Sequence, residues 1–414
     1  MTTSLTAPLT APLTAPLTDA LTDALTDALT DALLGVYRRA PMELVRGAGV
    51  ELFDAEGRAY LDFVAGIAVN ALGYGDAGLE QAMRDALDGG LVHVSNLYRT
   101  APGERLAERL VARTFADRVF FCNSGAEANE GAFKMARRWA RARGGAAKHE
   151  ILALRGAFHG RLFGTLAATD RPSYRAPFRP LAGGISIVER DLEELDSALN
   201  PGTVAAVIVE PVQGEGGVRV LAPDFLRELR DLTRQRDIAL ILDEIQCGYG
   251  RTGTFLACEQ AGIEPDLLTV AKPMAGGLPM GAILATQEVA DSMQPGDHGT
   301  TFGGGPFVAS VALHVFERLS DPALLEHVRV NGAWLGASLR NLVGASPKVR
   351  AARGVGYIWG IDVVEPAKDI IARAMELGLL VCSAGEHTVR LLPPLVMTRA
   401  ELERGVRLLA EAVG

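Results

Sequence analysis

Four places in this sequence carry side chains whose type and setting could do chemistry. Lys272 is the only basic residue of DLLTVAKPMAGGLPMGAILA (266–285). Lysine is almost never buried unpaired, so this amine is either a snorkelling surface charge or a group kept in a pocket for nucleophilic work. Asp243 closes the apolar run IALILD (238–243). A carboxylate there could hold a ring nitrogen protonated, cap a turn or bind a metal, and the neighbourhood lacks the usual metal-binding partners. NSGAEANEGAFK (123–134) turns at Ser124, Gly125 and Ala126 into a helix. The free N–H groups of such a turn welcome a phosphate, although helix capping by Asn123 or Ser124 accounts for the same residues. In RGAFHGR (155–161), Phe158 could stack on a flat ring and Arg161 could clamp a carboxylate through two parallel hydrogen bonds. His159 reads as a hydrogen-bonding partner. Core packing for the phenylalanine and a solvated surface for the arginine are the plain alternatives.

A phosphate seat, a ring stack, an acid for a pyridine nitrogen and an amine for an aldehyde are the parts that pyridoxal 5'-phosphate requires. They can meet only if the elements carrying them end at one edge. Strongly apolar strands are expected at 149–156, 203–213, 238–246, 266–272 and 280–286. Helices are expected at 78–89, 104–115, from the Ser-Gly turn to 142, and at 223–236. This cadence predicts an α/β fold with a large, mostly parallel sheet covered on both faces. Ligands then sit beyond the carboxyl ends of the strands, where all four features fall. After about residue 306 the texture changes to a smaller α+β arrangement, which the hairpin-like stretch 49–63 could join. The expected division is 1–35 as a low-complexity repeat, 36–75 packing with the small domain, 76–305 as the large cofactor-binding domain and 306–414 as the small C-terminal domain.

The 414 residues carry 50 acids against 41 bases, a net charge of −9, which argues against a general nucleic-acid binder. No apolar run reaches the length of a membrane span. Cys122, Cys247, Cys258 and Cys382 are widely spaced and form no C-x-x-C pair, so free thiols in a cytoplasmic protein are expected, with no metal site. RGVGYIWG (353–360) imitates a dinucleotide fingerprint, but Trp359 stands where its third glycine belongs. A strand passing close to other backbone is the better reading. Residues 5–33 repeat LTAP and then LTDA. Prolines forbid a regular helix in the first half, and the repeat is expected to be disordered or partly helical, without an assigned function.

From about residue 36 onward the chain resembles class III, fold type I, pyridoxal-phosphate aminotransferases. The likeness rests on LDFVAGIAVNALG (61–73), HVSNLYRTAPGERLAERL (93–110), NSGAEANEGA (123–132), FHGRLFGTLAAT (158–169), VIVEPVQGEGGV (207–218), LILDEIQCGYGRTG (240–253), LLTVAKPMAGGLPMGA (267–282), HGTTFGG (298–304) and VRLLPPL (389–395). The resemblance implies a cofactor covalently held on Lys272, which also moves the proton during transfer. It implies Asp243 at the ring nitrogen, Gln246 at the ring hydroxyl, Gly125 and Ala126 at the phosphate, Phe158 on the ring and Glu244 beside the cofactor. Thr301 is expected to reach the phosphate site of a neighbouring subunit, making a homodimer. For substrates it implies Arg161 and Thr300 as contacts, Arg390 as a second carboxylate-binding arginine, Glu210 as the acid masking an arginine, and Tyr37 at the pocket mouth. The reaction implied is transfer of a terminal amine to 2-oxoglutarate. N2-acetylornithine is the first choice of donor; a carrier-linked γ-lysine, succinyl-diaminopimelate and ornithine are the alternatives. Departures are Gly305 for a common asparagine, Cys247 for a common threonine and Gly73-Tyr74-Gly75 in place of a glycine followed by histidine.

Overall fold

The computed structural model describes residues 32–414; residues 1–31, nearly all of the repeat, lie outside the described part. The chain divides into two units, Met1–Glu43 and Leu44–Gly414, and among the described residues the strands and long helices belong to the second. It opens with an antiparallel meander of β1 (Leu44–Ala48), β2 (Glu51–Asp54) and β3 (Ala59–Asp62). Helices α1 (Ala77–Asp88) and α2 (Ala101–Arg113) lead to β4 (Arg118–Cys122) and α3 (Gly125–Gly144). Then come β5 (Glu150–Leu154), β6 (Ile185–Val188), β7 (Val204–Val209), the short pair β8 (Val212–Gln213) and β9 (Arg219–Val220), and α4 (Pro223–Gln235). Strands β10 (Ala239–Asp243), β11 (Leu267–Val270) and β12 (Gly281–Ala285) complete the large sheet.

That sheet runs β4-β12-β11-β10-β7-β5-β6, with β12 alone reversed. Strands β7, β10, β11 and β12 are buried along their whole length. Their side chains alternate between two cores. Leu152, Leu154, Val207, Val209, Leu240, Leu242 and Leu268 face one; Ile151, Ala153, Ala206, Ile208, Ile241 and Leu267 face the other. The near-continuous apolar runs of these strands follow from covering on both faces, with Thr269 and Asp243 the polar exceptions in β11 and β10.

Two expectations need correction. The stretch 203–213 is two strands, because Pro211 cannot donate to a ladder and the chain breaks at Glu210–Pro211. The edge strand β6 was absent from the sequence reading; it is four residues long and mostly half-buried, so its apolar signal is weak.

The C-terminal part holds α5 (Pro306–Leu319), α6 (Pro322–Ala345), β13 (Val349–Val355), β14 (Ile358–Val363), α7 (Ala367–Glu376), β15 (Leu379–Leu380), β16 (Cys382–Ser383), β17 (Thr388–Leu391) and α8 (Arg399–Val413). Strands β13-β14-β17-β16 form a second sheet, and β15 pairs with β3, tying the opening meander to this part. RGVGYIWG is the β13–β14 hairpin. A Cβ on Gly356 would stand 2.4 Å from the Arg251 carbonyl oxygen, so backbone approach explains that glycine.

Tight packing is testable on α8, where a Cβ on Gly405 would lie 2.2 Å from the Phe63 ring. Gly405→Ala is expected to destabilise the fold by about 1–3 kcal/mol through overpacking. Urea unfolding checks this; an unchanged midpoint contradicts the contact.

Candidate active site

Strand ends deliver the chemistry to one place. Beyond the carboxyl ends of β4, β5, β7, β10 and β11 lies a cavity of about 390 Å³. Its lining includes Ser124, Gly125, Ala126, Phe158, His159, Arg161, Glu210, Glu215, Asp243, Gln246 and Lys272. The four features singled out from sequence are thus brought together. Lys272 follows β11 after Ala271 and opens one turn of 3-10 helix, Lys272–Ala275. The turn ends at Gly276 and Gly277, whose φ values of 61° and 109° suit glycine. At α3, the Ser124 hydroxyl accepts the Glu127 N–H, leaving the Gly125 and Ala126 N–H groups without partners among the described residues. Gly125 is required there, since a Cβ would come within 2.8 Å of Ile245.

Asp243 is held from behind. Its Oδ2 lies 2.8 Å from His159 Nδ1 and accepts from Asn129 Nδ2 at 2.7 Å, while Oδ1 accepts the Ile245 N–H at 3.1 Å. Asn129 is fixed in turn by the Thr269 hydroxyl, which donates to its Oδ1 at 2.7 Å. Sequence reading missed Asn129 and Thr269. Their signals were spacing: Asn129 stands one helical turn after Gly125, and Thr269 is the β11 partner of Asp243.

Burial pushes the Lys272 amine below the ordinary lysine range, and the charge of Arg390 adds to the effect against the pull of Asp243, Glu215 and Glu210. Among the described residues nothing hydrogen-bonds to this amine. Burial also pushes the Glu210 carboxyl up to about 7. Arg161, exposed at the cavity wall, lies 3.6 Å from the Tyr174 ring centroid and 5.8 Å from that of Phe158, and makes no ion pair among the described residues. It is a cation held by aromatic faces and open to a carboxylate. Val69 reaches the cavity from the segment after β3. There Asp62 accepts the Val64 and Ala65 N–H groups and anchors a left-handed stretch, Ala65 to Ala68.

Glu210 and Arg390 make contacts other than those expected. Glu210 does not mask an arginine; its carboxylate accepts the Phe158 N–H at 3.0 Å. Glu215 does so instead, bonding Arg390 Nη2 at 2.6 Å. Arg390 is buried behind Glu215 and Gln246, whose Oε1 accepts its Nη1 at 3.1 Å, and it does not itself line the cavity. Thr300 and Thr301 border a neighbouring hollow with Phe120, Asn123 and Glu127, and the Thr300 hydroxyl accepts from Asn123 Nδ2. Tyr37 belongs to the Met1–Glu43 unit and is exposed. Cys247 is buried, and burial holds its thiol well above the ordinary range.

Glu244 also turns from the cavity, accepting the Ala257 and Cys258 N–H groups. Burial pushes its carboxyl from 4.5 up to about 7. The unfolded chain releases that proton first, so the contribution of Glu244 is most favourable below about pH 4.5 and declines as pH rises through about 7. The parent-minus-Glu244→Gln difference in unfolding free energy is expected to fall across that window. A flat difference contradicts the burial effect.

The donor set fits pyridoxal phosphate. Two unpartnered N–H groups face one end of the cavity, an aromatic ring forms a wall, and a fixed carboxylate and a partnerless amine stand at the strand ends. The chain belongs to the aminotransferase class-III family, whose model matches residues 36–413. Among its relatives, the mitochondrial acetylornithine aminotransferase of Alnus glutinosa is 44% identical over 386 residues, 92% of this chain and 85% of the relative. The solved N-acetylornithine aminotransferase of Stenotrophomonas maltophilia K279a is 36% identical with a TM-score of 0.81, covering 93% of this chain and 98% of its own. The ornithine aminotransferase of Toxoplasma gondii ME49 superposes with a TM-score of 0.89 at 28% identity, over 95% and 97% of the two chains.

Proposed function

We propose that this chain is a pyridoxal-phosphate-dependent aminotransferase of arginine biosynthesis. It moves the terminal amine of N2-acetylornithine to 2-oxoglutarate, giving N-acetylglutamate 5-semialdehyde and glutamate. The observation that carries the reading is the partnerless Lys272 amine sharing one cavity with Asp243, Phe158 and the free N–H groups of Gly125 and Ala126. The donor is chosen on the 41–45% identity of curated relatives named acetylornithine aminotransferase.

Pyridoxal phosphate, when bound, supplies the electron sink that acidifies the donor C–H bond. Lys272 would hold it covalently and, once displaced by the donor amine, would take the proton from the carbon bearing that amine and deliver it to the cofactor's aldehyde-derived carbon, so that the nitrogen stays with the cofactor. Burial favours its neutral, proton-accepting form. Asp243, kept in place by His159 and Asn129, holds the ring nitrogen. Gly125 and Ala126 would donate to the phosphate at the start of α3, Phe158 would pack on the ring, and Gln246 would reach the ring hydroxyl. Arg161 takes the α-carboxylate of the donor.

The acceptor has a second carboxylate, and Arg390 is its counter-charge. Glu215 must leave Arg390 for that carboxylate to enter, and its closed pairing suits the donor, which has no second carboxylate. Arg390→Ala is expected to raise KM for 2-oxoglutarate about 10–100-fold, the worth of a charge-assisted contact, with a much smaller change in donor KM. Equal changes in both constants contradict this assignment.

The reading includes a cytoplasmic homodimer. Leu97, Tyr98 and Phe302 are large exposed apolar residues beside the hollow bordered by Thr300 and Thr301. Thr301 is proposed to reach across to the neighbouring subunit's phosphate. Among the described residues no helix is long and apolar enough to cross a membrane.

Steady-state turnover of N2-acetylornithine, ornithine, succinyl-diaminopimelate and carrier-linked γ-lysine, each with 2-oxoglutarate, tests the donor. N2-acetylornithine should have the highest kcat/KM; a large deficit against any of the other three overturns the choice.

A further inference from the structure

Away from the cavity, four arginines from four segments converge on a hollow of about 360 Å³. Arg190 follows the edge strand β6, Arg219 lies on β9, Arg340 on α6 and Arg353 on β13. Val220, Gly354 and Trp359 complete its lining.

The cluster is short of negative charge. Arg353 alone has a carboxylate, making two hydrogen bonds to Asp362 at 2.6 and 2.7 Å, with its Nε donating to the Gly217 carbonyl at 2.6 Å. Among the described residues Arg190, Arg219 and Arg340 have neither an ion pair nor a side-chain hydrogen bond. Glu189, next to Arg190, is turned to Arg155 at 2.7 Å. Burial, and then the charges of Arg219 and Arg353 against the pull of Glu189, hold the Arg190 pKa below the ordinary arginine range.

Unpartnered arginines on a basic protein need no explanation. Here acids outnumber bases by nine, yet no carboxylate lines the hollow, and Glu189 and Asp362 are the nearby acids whose charge reaches its arginines. The scaffold locks one of the four guanidinium groups and sets a second beside an aromatic ring. Arg353 is locked by Asp362 and Gly217, and the Arg340 guanidinium lies 5.5 Å from the Trp359 ring centroid. Planar guanidinium forks set on two or more sides of a pocket match phosphate or carboxylate oxygens bidentately. The volume is that of a metabolite site rather than a macromolecular surface.

We propose that this hollow binds a small polyanion carrying at least two phosphate or carboxylate groups, separately from the aminotransferase cavity. Arg190, Arg219 and Arg340 take the anionic groups, and Arg353 forms the fixed wall.

Calorimetric titration of the holoenzyme tests this at constant ionic strength, with inorganic pyrophosphate and citrate as separate probes and sodium chloride as the control. One saturable site is expected for at least one probe. The dissociation constant should weaken at least about tenfold in the double variant Arg219→Gln/Arg340→Gln, since each lost charge-assisted contact is worth about a factor of ten. Both positions are exposed, and circular dichroism confirms that the variant is folded. A response to pyrophosphate alone assigns phosphate groups; a response to citrate alone assigns carboxylates. No saturable binding of either probe, or binding unchanged in the double variant, overturns the proposal. On the parent enzyme, the effective probe should also raise the unfolding temperature above the chloride control; no rise counts against it. None of these readouts uses turnover, so they stand or fall apart from the donor assignment.

Discussion

Lys272→Ala is expected to lose at least about a thousandfold in kcat, within the ~10²–10⁴-fold span that positioned acid–base groups supply. The purified variant should also lack the visible absorbance of a lysine-bound cofactor. Both effects have one origin. The amine sits at the end of a fully buried strand with its charged form disfavoured, and no other lysine lines the cavity. Cofactor content separates this from loss of binding, because the phosphate and ring contacts at Gly125, Ala126 and Phe158 remain. The variant should therefore still retain pyridoxal phosphate on gel filtration, though released by mild denaturation without a covalent bond. Near-parental turnover would remove Lys272 from the mechanism.

Asp243→Asn carries the second largest effect, a fall in kcat of about 10²–10³-fold, comparable to removing one preorganised electrostatic group from an active site. The asparagine oxygen can still accept from Asn129 and His159 while the part-buried Ile245 N–H bond is lost, so unfolding free energy should change by no more than about 1.5 kcal/mol, the net worth of an ordinary hydrogen bond. Asp243→Ala strands both buried donors and should cost a further ~1–3 kcal/mol per group. This split distinguishes a charge acting on the cofactor ring from a structural acceptor. If Asp243 only organises His159 and Asn129, the asparagine variant keeps its rate.

Lys272, Asp243, Phe158 and the Ser124–Ala126 turn were legible because each ends an apolar run, and a parallel sheet brings such ends to one edge. The long segments of the sheet were legible for the same reason, while β6 was too short and too exposed to stand out. Residues whose role depends on side-chain direction were less readable. Glu210 and Glu215 lie five apart in one motif, and only the turn through Gly214–Gly217 and the placement of β17 decide that Glu215 meets Arg390. Glu244 follows Asp243 directly, and with alternating side-chain direction its carboxylate goes to the Ala257–Cys258 amides. Asn129 and Thr269 look like ordinary helix and strand residues until the sheet brings them behind Asp243. The arginine hollow was invisible because its members come from four distant segments.

The most direct measurement is borohydride reduction of the holoenzyme followed by proteolysis and peptide mass analysis. The account predicts a pyridoxyl adduct on the peptide containing Lys272, absent from the Lys272→Ala variant. An adduct on a different lysine, or none in enzyme that retains the cofactor, would contradict it.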